Sequence, residues 1–310
     1  MLLDVKLDEL PDQFELANTN KILLLDGDFN IYKVAATVKK LDTAIRRFYT
    51  MVLTEMFLAG VKECNVYITP TGGAKCDRVH YPTVKVYQSN RKKKAPLPLR
   101  EPLKQHLIDH PYEYASSGIR ICFSNYFEAD DLIVMDSYSL GNGIVSSLDK
   151  DLRLSPYARW NDTTGSIDDK LQDPFGYIYY DSTEAMPLKG HGTKFFWAQM
   201  LMGDGADAVK GILTYCDELC GPKRAWDVLG SIETEQEAAE TIVKAYASIN
   251  QNYLAEAECL WLRRFEDDSA YQYIRPLLVS KPLIDWTDAL HEYNTQYVSY
   301  SKGQLNGNND

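Results

Sequence analysis

The chain has 310 residues, 45% of them hydrophobic and 25% charged, a balance that excludes a disordered polypeptide and allows one large core or two modest ones. No run approaches the roughly 18 apolar residues of a membrane helix. MLLDVKLDEL lacks a basic stretch followed by an apolar run, so a cytoplasmic protein without a secretory signal is expected. Cys64, Cys76, Cys122, Cys216, Cys220 and Cys259 form no C-x-x-C pair and have no histidines at finger spacing, which sets aside a structural zinc site or a disulfide framework.

The net charge of -11 argues against a protein that coats polyanions with its whole surface. The charge is uneven, however. Between Lys85 and Lys104 stand Lys85, Arg91, Lys92, Lys93, Lys94, Arg100 and Lys104 against the single acid Glu101. An acidic protein with one basic patch suits an enzyme that binds metal ions and a polyanion at adjacent places.

In chain order, Lys21–Asp26 (KILLLD), Asn65–Thr69 (NVYIT), Ile119–Phe123 (IRICF) and Gly143–Ser147 (GIVSS) read as strands, with helical spacing over Ile31–Leu58, Leu99–His110 and Phe127–Leu140. Strand alternating with helix predicts an α/β fold with a mainly parallel central sheet flanked by helices. Trp160–Tyr180 reads as a hairpin or long excursion. From about Phe195 the pattern turns helical, through Ala225–Leu229, Glu235–Ala247 and Tyr253–Phe265, and SKGQLNGNND reads as a disordered tail. The organisation expected is an α/β core over 1–200 that includes a basic segment at 80–115, a helical region over 201–300, and a tail from 301.

Active sites of open α/β sheets gather at the carboxyl ends of the strands, and acids stand there. Asp26 closes the first strand; Glu128, Asp130 and Asp131 follow the third; Asp149 and Asp151 follow the fourth. Taken singly, these read more readily as helix N-terminal charges or loop formers. Their coincidence at successive strand ends requires cations, and magnesium, with manganese able to substitute, prefers such oxygen ligands. Two ions about 4 Å apart stabilise both the attacking and the leaving oxygen of phosphodiester hydrolysis. Asp204 and Asp207 add an acidic turn, followed by Gly211 and by Gly221, Pro222 and Lys223 at a helix start, where backbone amides and a lysine suit phosphate. Asp28 reads as a helix cap, Arg46 and Arg47 as a solvated face, and His191 as a loop residue without a chemical role.

The ordered set LLLDGDFN, YFEADDL, SSLDKDL, GDGADAV and GILTYCDELCGPKRA resembles the flap endonuclease superfamily, particularly its phage-type 5′→3′ exonucleases. The resemblance implies a PIN-like nuclease core with a C-terminal helix-three-turn-helix region. It implies one metal site of Asp26, Glu128 and Asp130 and another of Asp131, Asp149, Asp151, Asp204 and Asp207. Gly211, Gly221 and Lys223 would hold duplex DNA, with a potassium ion at that turn. YQSNRKKK is similar to the family's gate motif, placing Arg91 on the scissile phosphate with Lys85 in support and Lys92, Lys93 and Lys94 on DNA. The resemblance further implies DNA with 5′ ends, flaps or nicks, and RNA primers on DNA, as substrates in a phage setting. Two positions depart from the family: Gln88 stands where the gate carries lysine, and YITPTGG lacks the aspartate after the second strand, with Asp77 the nearest acid. A non-catalytic junction-binding protein and a PIN-type ribonuclease are the alternatives, the latter disfavoured by GILTYCDELCGPKRA.

Overall fold

The computed structural model describes residues 17–93 and 97–306. The central sheet is built from β1 (Ile22–Asp26), β2 (Glu63–Ile68), β3 (Ile119–Phe123), β4 (Gly143–Ser146), β5 (Arg159–Asn161) and β6 (Ser166–Asp168), in the order β3-β2-β1-β4-β5-β6. All neighbours run parallel except β5 and β6, which form the hairpin expected after Trp160. A second hairpin pairs β7 (Tyr177–Tyr180) with β8 (Leu188–His191).

The run ILLLD is apolar on both faces because the strand is covered on both sides, as in parallel sheets generally. Leu23 and Leu25 face a cluster with Ile31, Phe48, Val52 and Val66, under α1 (Gly27–Ala35), α2 (Leu41–Ala59) and α3 (Arg100–Asp109). Leu24 faces the other way, toward Ile133 of α4 (Ala129–Leu140) and Trp197 of α5 (Thr193–Met202). That second cluster continues across residue 200 into α6 (Pro222–Leu229), α7 (Glu235–Ser248), α8 (Tyr253–Leu260), α9 (Ala270–Ile274) and α10 (Lys281–Asn306), so one core joins the sheet to the helical region. Among the described residues no helix is long and apolar enough to cross a membrane.

Three expectations are corrected. Ile31–Leu58 is two helices, because the Thr37 hydroxyl closes the last turn of α1 on the carbonyls of Lys33 and Val34 and the chain extends at Lys40 before α2. The helix from Tyr253 ends at Leu260, not Phe265. There the Trp261 carbonyl accepts from Arg78 and the Arg263 amide donates to Asp131, so tertiary partners replace helical ones. The tail is helical through Asn306, anchored by Ser301 against His80 and by Lys302 against Asp77.

Two glycines are fixed by geometry. A Cβ on Gly27 would lie 2.8 Å from the Tyr67 carbonyl oxygen, so the turn from β1 into α1 can pass β2 only without a side chain. Gly211 has φ +67° and packs on Gly203, where an added Cβ would stand 2.4 Å from the Gly203 nitrogen. Gly211→Ala is expected to cost about 1–3 kcal/mol from backbone strain alone, read as a lowered Tm in thermal denaturation; an unchanged Tm would contradict this packing.

Candidate metal centre

The carboxyl ends of β1 and β4 lie side by side, with β2 and β3 beyond β1, so chain order reverses between β1 and β4 and opens a crevice there. A cleft of about 610 Å³ fills it, lined by Asp26, Asp28, Glu101, Glu128, Asp130, Asp149 and Asp207 among the acids and Lys75, Arg91, Arg100, Lys104 and Lys150 among the bases.

Asp26 is held from both sides. Its Oδ1 accepts from the amides of Asp28 (3.0 Å) and Phe29 (3.4 Å), capping α1, and its Oδ2 accepts from the Ser147 hydroxyl at 2.8 Å. Burial, with Asp28 and Asp149 nearby, pushes its pKa up to about 6. Asp130 is half-buried where it lines the cleft. Burial, and then Asp149, Asp26, Glu128 and Asp151, hold its carboxyl well above the usual carboxylate range, and among the described residues no side chain pairs with it. Asp151 is raised to about 8 by burial and Asp149, against the pull of Lys150. Asp149 is exposed, and its Oδ1 accepts from the Asp151 amide at 2.9 Å.

The second group is tighter still. Asp151, Asp204 and Asp207 each bring a carboxylate oxygen to within 4.8 Å of the others. Lys150 sits among them, 3.1 Å from Asp151 and 2.7 Å from Asp204. Burial would raise Asp204, but the Lys150 ammonium outweighs it and lowers the pKa. Arg91 pairs with Asp207. The Tyr87 hydroxyl lies 2.9 Å from Glu128 and 3.0 Å from Asp207, so its single proton is shared between two carboxylates.

This donor set fits divalent cations. Lys150 and Arg91 already act as internal counter-cations for Asp204, Asp151 and Asp207, while Asp26, Asp130 and Asp149 crowd together with no ammonium or guanidinium among them among the described residues. Hard oxygen ligands in such density suit magnesium or manganese.

Several sequence expectations change. Asp131 leaves the metal set: it is fully buried, both its oxygens accept from Arg78 (2.7 and 2.8 Å), and it also accepts from the amides of Arg263 and Glu128. Burial opposes its charge, yet Arg78 holds its pKa low. Glu128 shares Arg78 through Oε2 at 2.9 Å, but it lines the cleft, where Oε1 accepts from Gln88 at 3.3 Å. Lys85 does not line the cleft; it borders a separate recess with Asn90, Asp204, Gly205 and Lys210, so it stands apart from Asp26, Glu128, Asp130 and Asp149. Gly211 offers no amide to phosphate, since its N–H meets buried Glu256 and its carbonyl accepts from Gln251 at 2.8 Å. Gly221 and Lys223 are exposed at the start of α6, with Lys223 paired to Asp227. Lys94 lies outside the described residues, as do the side chains of Lys92 and Lys93.

Asp77 is turned away from the cleft, toward Lys302 (3.0 Å) and Tyr126 (3.4 Å). Asp28, expected as a cap, instead reaches the end of β2, accepting from the Thr69 amide at 3.1 Å and pairing with buried Lys104 at 2.8 Å. It thus brings a carboxylate to the strand end whose own sequence lacks one. His191 is a buried strand residue whose Nε2 meets the Ser155 carbonyl, with no chemical partner. Arg46 and Arg47 are exposed, as expected, and border a second cavity beyond Asp26. Sequence reasoning missed Lys75, Tyr87, Lys150 and Gln199, whose Nε2 donates to Asp151 at 2.6 Å. Lys150, inside SLDKD, and Tyr87, at the head of YQSNRKKK, carried a signal; Lys75 and Gln199 did not.

No protein-family model and no curated protein sequence matches the chain. Solved structures do. A bacteriophage T5 protein co-crystallised with metal ions is 16% identical, with 87% of this chain and 98% of that chain covered and a TM-score of 0.53. The bacteriophage T5 flap endonuclease in a pseudo-enzyme–product complex with DNA and metal ions is 14% identical over 87% and 98%, with a TM-score of 0.53. T5 5′-exonuclease with bound zinc is 16% identical over 88% and 98%, with a TM-score of 0.50. The fold is that of these T5 structures.

The raised acids set a pH dependence. A carboxyl whose folded pKa lies above its unfolded value keeps a proton that the unfolded chain has lost, so stability falls as pH rises through that window, here from about 4 to about 8. A divalent ion binding the charged acids reverses that loss. Magnesium or manganese should therefore raise Tm more at about pH 8 than at about pH 5, measured against a chelator control. An equal gain at both would contradict the carboxylate cleft as the binding site.

Proposed function

We propose that the protein is a divalent-metal-dependent 5′→3′ nuclease that hydrolyses DNA phosphodiesters at 5′ ends, flaps or nicks, RNA primers on DNA included. The reading rests on one observation: Asp130, half-buried where it lines the cleft among Asp26, Glu128, Asp149 and Asp151, has no cationic partner among the described residues, so this group of acids needs a metal to carry its full charge. The T5 fold, and the DNA and metal ions named with those structures, support it.

Asp26, Glu128, Asp130 and Asp149 would hold one ion, and Asp151, Asp204 and Asp207 the other. When bound, such ions lower the pKa of water and stabilise charge on the attacking and leaving oxygens. The protein's own groups do the rest. Ser147 and the α1 amides fix Asp26, Tyr87 ties Glu128 to Asp207, and Gln199 fixes Asp151, so the ligands are oriented before substrate arrives. Arg91, half exposed and paired to Asp207, would exchange that carboxylate for a phosphate at the cleft mouth. Gly221 and Lys223 meet the duplex backbone at the exposed start of α6, a helix terminus suited to phosphate. A potassium ion at that turn would draw on other oxygens, because the Gly211 carbonyl already accepts from Gln251. A role in phage replication, primer removal and DNA degradation within a host cytoplasm belongs to the same proposal.

The test is cleavage of 5′-labelled duplex, flap and single-stranded DNA with and without magnesium. Asp149→Asn and Asp151→Asn should each abolish nearly all turnover while DNA affinity stays within several-fold; unimpaired turnover in both would sink the two-metal assignment. Lys223→Ala should weaken duplex binding and reduce the slope of log affinity against log salt by about one. A wild-type slope would remove Lys223 from the interface.

A further inference from the structure

Resting on that nuclease reading, we infer that Lys75 supplies the ammonium that meets charge developing on the scissile phosphate, in place of a lysine at position 88. Lys75 lines the cleft. Its Nζ donates to the Gln88 side-chain carbonyl and stands 3.6 Å from Glu128 Oε1. Gln88 in turn donates to that same Glu128 oxygen at 3.3 Å. The amide at position 88 thus passes the charge of Lys75 to the edge of the carboxylates.

The backbone that carries Lys75 is held in an unfavourable form. Lys75, Cys76 and Asp77 have φ of 53°, 55° and 60°, three successive non-glycine residues in the left-handed region, each costing on the order of 1–3 kcal/mol. The surroundings enforce it: the Ala74 and Cys76 amides donate to the carbonyls of Asn125 (2.8 Å) and Tyr126 (2.7 Å), Cys76 Sγ reaches Asp131, and Asp77 is pinned by Lys302. Strain of this kind persists where a side chain must be aimed, and here it aims Lys75 along the cleft wall.

Of the other cations lining the cleft, Arg100 is exposed and the rest hold carboxylates. Lys150 serves Asp151 and Asp204, Arg91 serves Asp207, and buried Lys104 serves Asp28 and the Thr69 carbonyl. Lys75 has one neutral partner and one distant carboxylate, and its side chain is 26% exposed. An ammonium has three donors, so one stays available to an incoming phosphate oxygen. In hydrolysis, water forms a new P–O bond as the P–O3′ bond breaks, and the water proton passes to the leaving oxygen or to solvent. Lys75 donates a hydrogen bond to the charged oxygen throughout and is not consumed.

The competing reading makes Lys75 only a screen that keeps Glu128 charged. Single-turnover cleavage of one 5′-flap substrate at saturating magnesium separates them, since product release cannot mask the step. Loss of one preorganised donor predicts a fall of roughly 100-fold for Lys75→Ala, with DNA affinity and the magnesium concentration for half-maximal rate within several-fold of wild type. Lys75→Arg should keep much of the rate. The double variant Lys75→Ala/Gln88→Lys should recover most of it, because the new ammonium starts from the amide that Lys75 now touches. A wild-type rate in Lys75→Ala overturns the inference. So does a loss that the double variant fails to restore and that higher magnesium does restore, the mark of a screen. No cleavage by the wild-type protein with any metal would instead overturn the nuclease reading itself.

Discussion

Mutual repulsion among carboxylates is the constraint around which this molecule is arranged. Asp26, Glu128, Asp130, Asp149 and Asp151 converge because the parallel strands β1, β3 and β4 all end at the same edge of the sheet, and the low dielectric of the site sharpens their cost. The fold lowers that cost where it can: amides and Ser147 on Asp26, Lys150 between Asp151 and Asp204, Arg91 on Asp207, and the Tyr87 hydroxyl between Glu128 and Asp207. At Asp130 these devices stop. A protein that crowds buried acids and leaves one of them without a counter-charge among its described groups is built to bind something positive.

Arg78 decides which acids take part. Its guanidinium, 1% exposed, pairs with Asp131 and Glu128 and donates to the carbonyls of Glu258 and Trp261. It therefore ties the start of α4 to the helical region, and removing one partner of such a buried pair typically costs about 3–5 kcal/mol. The sequence EADD is divided by this contact. Asp131 belongs to the scaffold, Asp130 to the cleft, and Glu128 to both. Helical geometry makes the division unavoidable, since adjacent residues point about 100° apart around the axis.

Much of this was legible in the amino-acid sequence. KILLLD, IRICF and GIVSS announce parallel strands, and acids following them mark the cleft, because local patterning and the strand-end rule act over short distances. The misses involve partners far apart in sequence. Nothing near Asp131 announces Arg78, and nothing near Gln88 announces Lys75, thirteen residues earlier and turned inward by three left-handed residues. Asp28 reads as a cap until β2 is seen beside it. Gly211 carries a glycine for its own φ and for Gly203, which sequence cannot separate from a glycine kept for phosphate. The polar tail reads as disorder until Ser301 and Lys302 find His80 and Asp77.

In the proposed nuclease reading this cleft holds two ions, and Lys150 stands at the second position. Anomalous diffraction from crystals grown with manganese tests this most directly. Two peaks about 4 Å apart are expected, one among Asp26, Glu128, Asp130 and Asp149 and one among Asp151, Asp204 and Asp207, with the Lys150 ammonium displaced from Asp204. No peak at Asp130, with Lys150 still seated on Asp204, would contradict it.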